Sequence, residues 1–327
     1  MISTINIFTN HYLTRKPDVN FTFLKEQNQF AGYWHNKRAM GGDWACGFEV
    51  FGTENELLEL FENGLYQLIE SFNGEGILAW EGFIAGMELD TPAGTLKKDL
   101  SDMYNDAACT YTTTMADYPE TVQEQDGNQI VRMAGNLNSG ASITLRELTS
   151  ESFARYGGKQ INLNVGSVPS LGVAEQIRDY YLVARGMPNL NPSLRLTKNR
   201  VEQKLRLRVR CEGRIKSQSW VLYEQSVLPT TQTQTVSDKV AAVTYNSRIL
   251  PNEVIESNST LVFERDLTNR RRLDILFDLC RLSDSSYNRY IIYSKGDTIF
   301  YEQAASNDKS NLRYYPGEKP VDILQKK

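Results

Sequence analysis

Carboxylates are the first residues in this chain whose type and spacing could do chemistry. Glu81 with Glu88, or Asp99 with Asp102, could serve glycoside hydrolysis, which needs one carboxyl group as acid and a second as nucleophile or base across a cleft. Spacing alone does not separate such pairs from solvated surface acids, and no catalytic residue is assigned. Gly135-Asn-Leu-Asn-Ser-Gly140 has the glycine spacing of a phosphate loop but lacks the Lys-[Ser/Thr] that would touch phosphates and magnesium. Gly157-Gly158-Lys159 completes no such motif, and no Gly-x-Ser-x-Gly elbow occurs. The two histidines, His11 and His35, have no partner at ligand spacing, and the four cysteines, at 46, 109, 211 and 280, form no Cys-x-x-Cys pair. The expectation is four separate reduced thiols, no metal, no cofactor and no enzyme activity.

Binding chemistry is better supplied. Arg206, Arg208 and Arg210 alternate with Leu205, Leu207, Val209 and Cys211, so the arginines share one face of a strand. Such a row could track a nucleic-acid backbone, but a single-strand-binding sheet interleaves aromatic side chains with the basic ones, and this face has none. A solvated or subunit-facing strand is expected instead, with no specific nucleic acid. Charge is divided unevenly: up to Ser150 there are 9 Lys/Arg against 21 Asp/Glu, a balance of −12, and beyond it 27 against 19, a balance of +8. Acidic surface stacking on basic surface in an assembly fits that division. The 17 tyrosines cluster at Tyr180-Tyr181, at Tyr287, Tyr290 and Tyr293, and at Tyr314-Tyr315; a sugar site or, more simply, protein interfaces would use them.

The elements that must position these residues are mostly strands. Period-two alternation marks Ile5-Ile7, Phe21-Phe23 and Trp44-Cys46-Phe48-Val50, with Gly41-Gly42-Asp43 as turn chemistry ahead of Trp44. Thr53-Glu54-Asn55-Glu56 is a capping box opening a helix that buries Leu57, Leu58 and Phe61 and ends at a left-handed Gly64. Asn73-Gly74 is a hairpin signal between strands at 66–72 and 77–89, the second carrying Trp80. Leu100 to Thr113 reads as one extended element, and 114–150 as a loop-rich insertion. A helix is expected at 171–185, with Ala174, Ile177, Tyr181 and Leu182 on one side. A strand at Ser219 to Leu228 should pair with the arginine strand. A last helix at 269–282 precedes a hairpin of 288–294 and 298–303 across Lys295-Gly296-Asp297. No basic segment with an apolar core opens the chain, and no run of about 18 apolar residues occurs, so a soluble protein without stable membrane insertion is expected.

In order along the chain stand Glu62-Asn-Gly-Leu65 at a helix end, Trp80-Glu-Gly-Phe-Ile84 on a strand, Tyr104-Asn105 before a Tyr111 strand and Arg155-Tyr156-Gly157 ahead of a helix and Pro188. Ser286-Tyr-Asn-Arg-Tyr290 and Ile299-Phe-Tyr301 then follow a further helix. This order resembles tailed-bacteriophage (siphophage-like) tail proteins related to baseplate hub or tail tip hub proteins. The resemblance implies a mainly β (α+β) fold of two β-barrel-like domains with a few short helices. The first, at 1–190, would contain the insertion at about 114–150 and a connecting helix at about 171–185; the second, at 191–327, would be β-rich with one helix at about 269–282. It also implies a structural virion protein, assembled in the bacterial host cytoplasm, that forms the hub ring adapting the tail tube to the distal baseplate or tip. Its partners would be copies of itself, as a homotrimer of six similar barrels, together with tail tube, tape-measure, distal tail and tip or baseplate proteins. A hexameric distal tail protein and a tip-associated carbohydrate-binding or wall-degrading protein are the rival readings.

Overall fold

The computed structural model describes residues 2–8, 22–24, 30–91, 94–113, 131–133, 142–194, 205–223, 234–244, 250–262, 267 and 270–304. Strands dominate. In chain order the first half contains β1 (Ile2–Phe8), β2 (Thr22–Leu24), β3 (Phe30–Arg38), β4 (Gly41–Val50), α1 (Glu54–Asn63), β5 (Leu68–Asn73), β6 (Leu78–Thr91), β7 (Gly94–Asp99), β8 (Asp106–Thr113), β9 (Val131–Met133), β10 (Ser142–Leu148), α2 (Ser150–Tyr156), β11 (Gln160–Val168) and α3 (Leu171–Arg185). There follow β12 (Leu190–Leu194), β13 (Arg206–Glu212), a 3-10 helix (Arg214–Ser219), β14 (Gln234–Thr235), α4 (Val236–Thr244), β15 (Asn252–Ile255), β16 (Leu261–Val262), α5 (Arg272–Leu279), β17 (Tyr290–Lys295) and β18 (Thr298–Gln303).

Twelve strands form one curled, half-barrel sheet in the order β15-β18-β17-β4-β13-β6-β5-β1-β2, with β3 beside β4 and β7 then β12 beside β6. β13 lies antiparallel between β4 and β6, so a strand from beyond residue 191 is seated among strands from the first hundred residues. Its apolar side, Leu207, Val209 and Cys211, enters the same core as Ile5, Leu57, Trp80, Phe83 and Leu89. That core runs across the expected boundary at 190/191. A second core gathers Ile215, α4, α5 and the β17–β18 hairpin. A separate four-stranded sheet, β11-β8-β10-β9, is covered by α3. There β10, from the expected insertion, pairs residue for residue with β8, from Ser142 opposite Thr112 to Leu148 opposite Asp106.

Local signals explain several elements. The Thr53 hydroxyl accepts from the Glu56 amide at 3.4 Å while the Glu56 carboxylate accepts from the Thr53 amide at 2.8 Å, closing the capping box of α1. The hairpin after β5 is held by the Asn73 carboxamide oxygen, which accepts from the amides of Glu75 and Ile77 at 3.0 and 2.9 Å. Gly296, at φ 61°, makes the β17–β18 turn.

Other expectations need correction. Gly64 is right-handed, at φ −76°, and the left-handed residue after α1 is Tyr66, at φ 69°. Tyr66 holds that conformation because its ring is buried against Phe83, Tyr156 and Trp220. No strand at Ser219 pairs with β13. Its flanks are already occupied by β4 and β6, and the chain turns into the 3-10 helix at Gly213, where a Cβ would stand 1.6 Å from the Asp43 carbonyl oxygen. Residues 224–228 of that expected strand lie outside the described residues. Residues 100–105 form a turn, so β8 begins only at Asp106. Among the described residues the C-terminal half has two α-helices, α4 besides the expected one: α4 is rich in β-branched residues, a strand-like composition, but its Val236, Val240 and Val243 are buried in one core with α5. On α3 the buried side is Ala174, Arg178 and Leu182, leaving Ile177 more than a third exposed.

Candidate functional site: the charged face of the central sheet

Alternation along β13 sends three arginines to the outer face of the sheet, and register decides what they meet. Arg206 lies opposite Asp90, Arg208 opposite both Glu49 and Glu88, and Arg210 opposite Gly47 and Gly86. Arg208 donates to Glu88 at 2.7 Å and lies 3.0 Å from Asp90, and Arg206 reaches Asp90 at 3.0 Å. Arg210 spans the hollow over Gly86 and donates to both oxygens of Asp99, at 2.8 and 2.7 Å. Burial alone would raise the Asp90 carboxyl. Hydrogen bonds from Thr95 and Arg206 and the Arg208 charge outweigh it, holding Asp90 below the usual carboxylate range. The arginine row is therefore paired within its own chain. In this ladder basic side chains from beyond residue 205 meet acidic ones from the first hundred residues.

Beside this ladder one cross-strand row reads Trp34, Gly47, Arg210, Gly86, Asp99 from β3 to β7. This row lines a groove of about 350 Å³. The Trp34 indole, half exposed, occupies the space a Cβ on Gly47 would fill, its Nε1 lying 2.6 Å from that position. His35 sits next on the exposed β3, its pKa lowered by partial burial and by Lys37. His11 lies outside the described residues.

The carboxylates considered for hydrolysis are each matched to a cation. Glu81 is buried, 3.1 Å from the equally buried Arg214, and accepts from the Gly296 amide. Its own amide donates to Asp43 at 3.0 Å, and Asp43 meets Lys37 at 2.9 Å. Glu88 is bound by Arg208 and Asp99 by Arg210, while Asp102 is exposed, 3.9 Å from Arg185. Neither sequence pair shares a cleft: Glu81 is tied to the C-terminal hairpin and Glu88 to the ladder.

Two sequence motifs prove to be one joint. The buried Asn105 carboxamide donates to the Ser152 hydroxyl at 3.1 Å and the Gly157 carbonyl at 2.8 Å, and accepts from the Lys159 amide at 2.8 Å. Gly157 closes α2 at φ 72°, and a Cβ on Gly158 would meet the Phe153 ring at 2.7 Å, so the first glycine serves backbone conformation and the second packing. The Lys159 ammonium is sealed under Tyr104 and Trp220, donating to the carbonyls of Leu100 and Ser101. Burial lowers its pKa to about 8, with the Glu212 charge opposing. The Gly135–Gly140 loop lies outside the described residues.

The sequence did not reveal that two of its thiols are neighbours. Cys46 and Cys211 face one another across β4 and β13, both fully buried. Burial, then a hydrogen bond with Cys46, raises the Cys211 thiol well above its ordinary range. Burial pushes Cys280 up to about 12 and also raises Cys109. Only cross-strand register, set 165 positions apart in the chain, brings Cys46 and Cys211 together. The tyrosine clusters divide: Tyr290 stacks on Tyr301 at 5.0 Å and Tyr293 on Phe300 at 5.2 Å, whereas Tyr180 and Tyr287 are exposed. Tyr314 and Tyr315 lie outside the described residues.

A second cavity of about 470 Å³ lies between α4, β16 and α5, walled by Leu261, Leu267, Ile275 and Leu279 and rimmed by the Arg270–Asp278 ion pair at 2.7 Å. Among the described residues no helix is long and apolar enough to cross a membrane, and no group of three His, Cys, Asp or Glu is placed to hold a metal ion. Comparison with protein-family models, with curated proteins and with solved structures yields no match.

Proposed function

We propose that this chain is a structural subunit of a tailed-phage tail, forming the hub or tip ring that adapts the tail tube to the distal baseplate. The observation that supports this reading best is the open half-barrel. Among the described residues the branched sheet ends at β15, β2, β3 and β12, each with one partner strand, and an unpaired strand edge is a template for a neighbouring chain. Exposed apolar side chains point the same way: Val254 on β15, Tyr180 and Val183 on α3, and Tyr287 in the turn before β17. On this reading neighbouring copies complete the half-barrels into the two barrel-like units per chain that a trimeric hub requires, and the subunit resides in the virion after assembly in the host cytoplasm.

Electron microscopy of the assembled particle, or of the chain coexpressed with its genomic neighbours, tests the proposal. A three-fold ring of six barrels at one end of a tube is the expected result. A six-fold ring would replace the hub with a distal tail protein, and a chain that stays monomeric beside its neighbours would overturn the assembly reading.

A further inference from the structure

We infer that the groove beside Trp34 is a binding site for a neutral saccharide. The groove has one exposed aromatic wall, the Trp34 indole seated over Gly47, and a charged rim that includes the Arg210–Asp99 pair seated over Gly86. Its six charged residues divide evenly: Glu49, Glu88 and Asp99 against Lys97, Arg208 and Arg210. That balance decides between ligand classes. An anion would meet as many carboxylates as cations, and a cation as many cations as carboxylates, so neither gains a net field. A hydroxyl group is donor and acceptor at once. The Arg210–Asp99 and Arg208–Glu88 pairs present an N–H donor and a carboxylate oxygen side by side, each already fixed by its partner.

The indole completes the site. A sugar ring carries C–H groups on one face and hydroxyls around its edge, so it needs an apolar platform within reach of paired donors and acceptors. Trp34 supplies that platform across Gly47 from Arg210: glycine at 47 lets the indole lie against β4, and glycine at 86 lets the Arg210 and Asp99 side chains meet over it. A Cβ on Gly86 would stand 2.8 Å from an Asp99 oxygen and 3.3 Å from the Arg210 guanidinium. The volume sits at the lower end of the roughly 300–1,000 Å³ usual for small-ligand clefts, which suits a short saccharide rather than a dinucleotide. The inference does not depend on ring assembly and stands on the free chain.

The test is titration of the full chain with maltotetraose, cellotetraose and the tetramer of N-acetylglucosamine, followed by calorimetry and tryptophan fluorescence. Trp34 is the most exposed of the four tryptophans, and Trp34→Phe identifies its share of the emission. Saturable binding of at least one sugar is expected, weakened about tenfold or more by Trp34→Ala. Gly47→Ala, which displaces the indole without removing it, should weaken it too, and both variants should still unfold in a single cooperative transition well above the assay temperature. Binding should be indifferent to salt between about 0.05 and 0.5 M, as it must be for an uncharged ligand. No saturable binding of any of the three sugars, undiminished binding by either variant, or Trp34-dependent binding of inorganic phosphate in their place would overturn the inference.

Discussion

Replacing Arg214 by methionine tests whether the buried ion pair, rather than any catalytic role, explains Glu81. Both side chains are almost completely buried, with Arg214 Nη2 at 3.1 Å from one Glu81 oxygen while the other accepts from the Gly296 amide. Arg214→Met fills the volume of the guanidinium stem but leaves Glu81 desolvated without its guanidinium partner, and also removes the longer 3.7 Å contact of Arg214 with Glu70. Removing one partner of such a pair costs roughly 3–5 kcal/mol, whereas replacing both by neutral groups is far milder. The double variant Glu81→Gln with Arg214→Met should therefore recover most of the loss, giving a coupling of about 2 kcal/mol or more in the cycle. Urea unfolding monitored by fluorescence at neutral pH measures all four corners. A single-variant cost below about 1 kcal/mol, or two losses that simply add, would refute the reasoning. The pair also joins β6 to the 3-10 helix and, through Gly296, to the C-terminal hairpin. Amide exchange at β17 and β18 should accordingly quicken in Arg214→Met.

Further outcomes follow from the same structure. Trp80→Ala should lower unfolding stability by roughly 3–5 kcal/mol, since the indole is fully buried; an unchanged melting temperature would contradict that packing. Arg208→Glu places a fourth carboxylate beside Glu49, Glu88 and Asp90 and should cost about 1–2 kcal/mol at low salt, shrinking as salt screens the repulsion. A cost that salt leaves unchanged would argue for lost packing instead. The four buried thiols should resist Ellman's reagent in the native protein and all react in denaturant; rapid native labelling of Cys46 or Cys211 would mean that the β4–β13 face opens. Lys159 has a pKa of about 8 when folded against 10.5 ordinarily, so its folded form carries a buried, desolvated charge below pH 8. Between those values the unfolded chain binds the extra proton, so stability rises with pH. Relative to Lys159→Met, in which the cysteine and tyrosine titrations are shared, wild type should gain stability from pH 8 to about 10.5. A flat difference across that range would sink the assignment.

What the sequence determined by itself was local. The capping box at Thr53, the bounds of α3 between Leu171 and Arg185, the Asn73 turn and the β17–β18 hairpin at Gly296 were all legible. Each depends on backbone conformation or hydrogen bonds within a few residues, where residue type sets the outcome. The mainly β character was legible too, through period-two alternation. Tertiary structure decided everything that depends on which strand lies beside which. Alternation showed that Arg206, Arg208 and Arg210 share a face, but not that β13 would enter between β4 and β6 and meet their acids. The parallel pairings of β15 with β18, β17 with β4 and β11 with β8 leave no turn signal in the chain. For the same reason the Cys46–Cys211 contact and the Trp34 groove were invisible. Register is selected by burial of whole faces against one another, and that energy is not a property of any one segment.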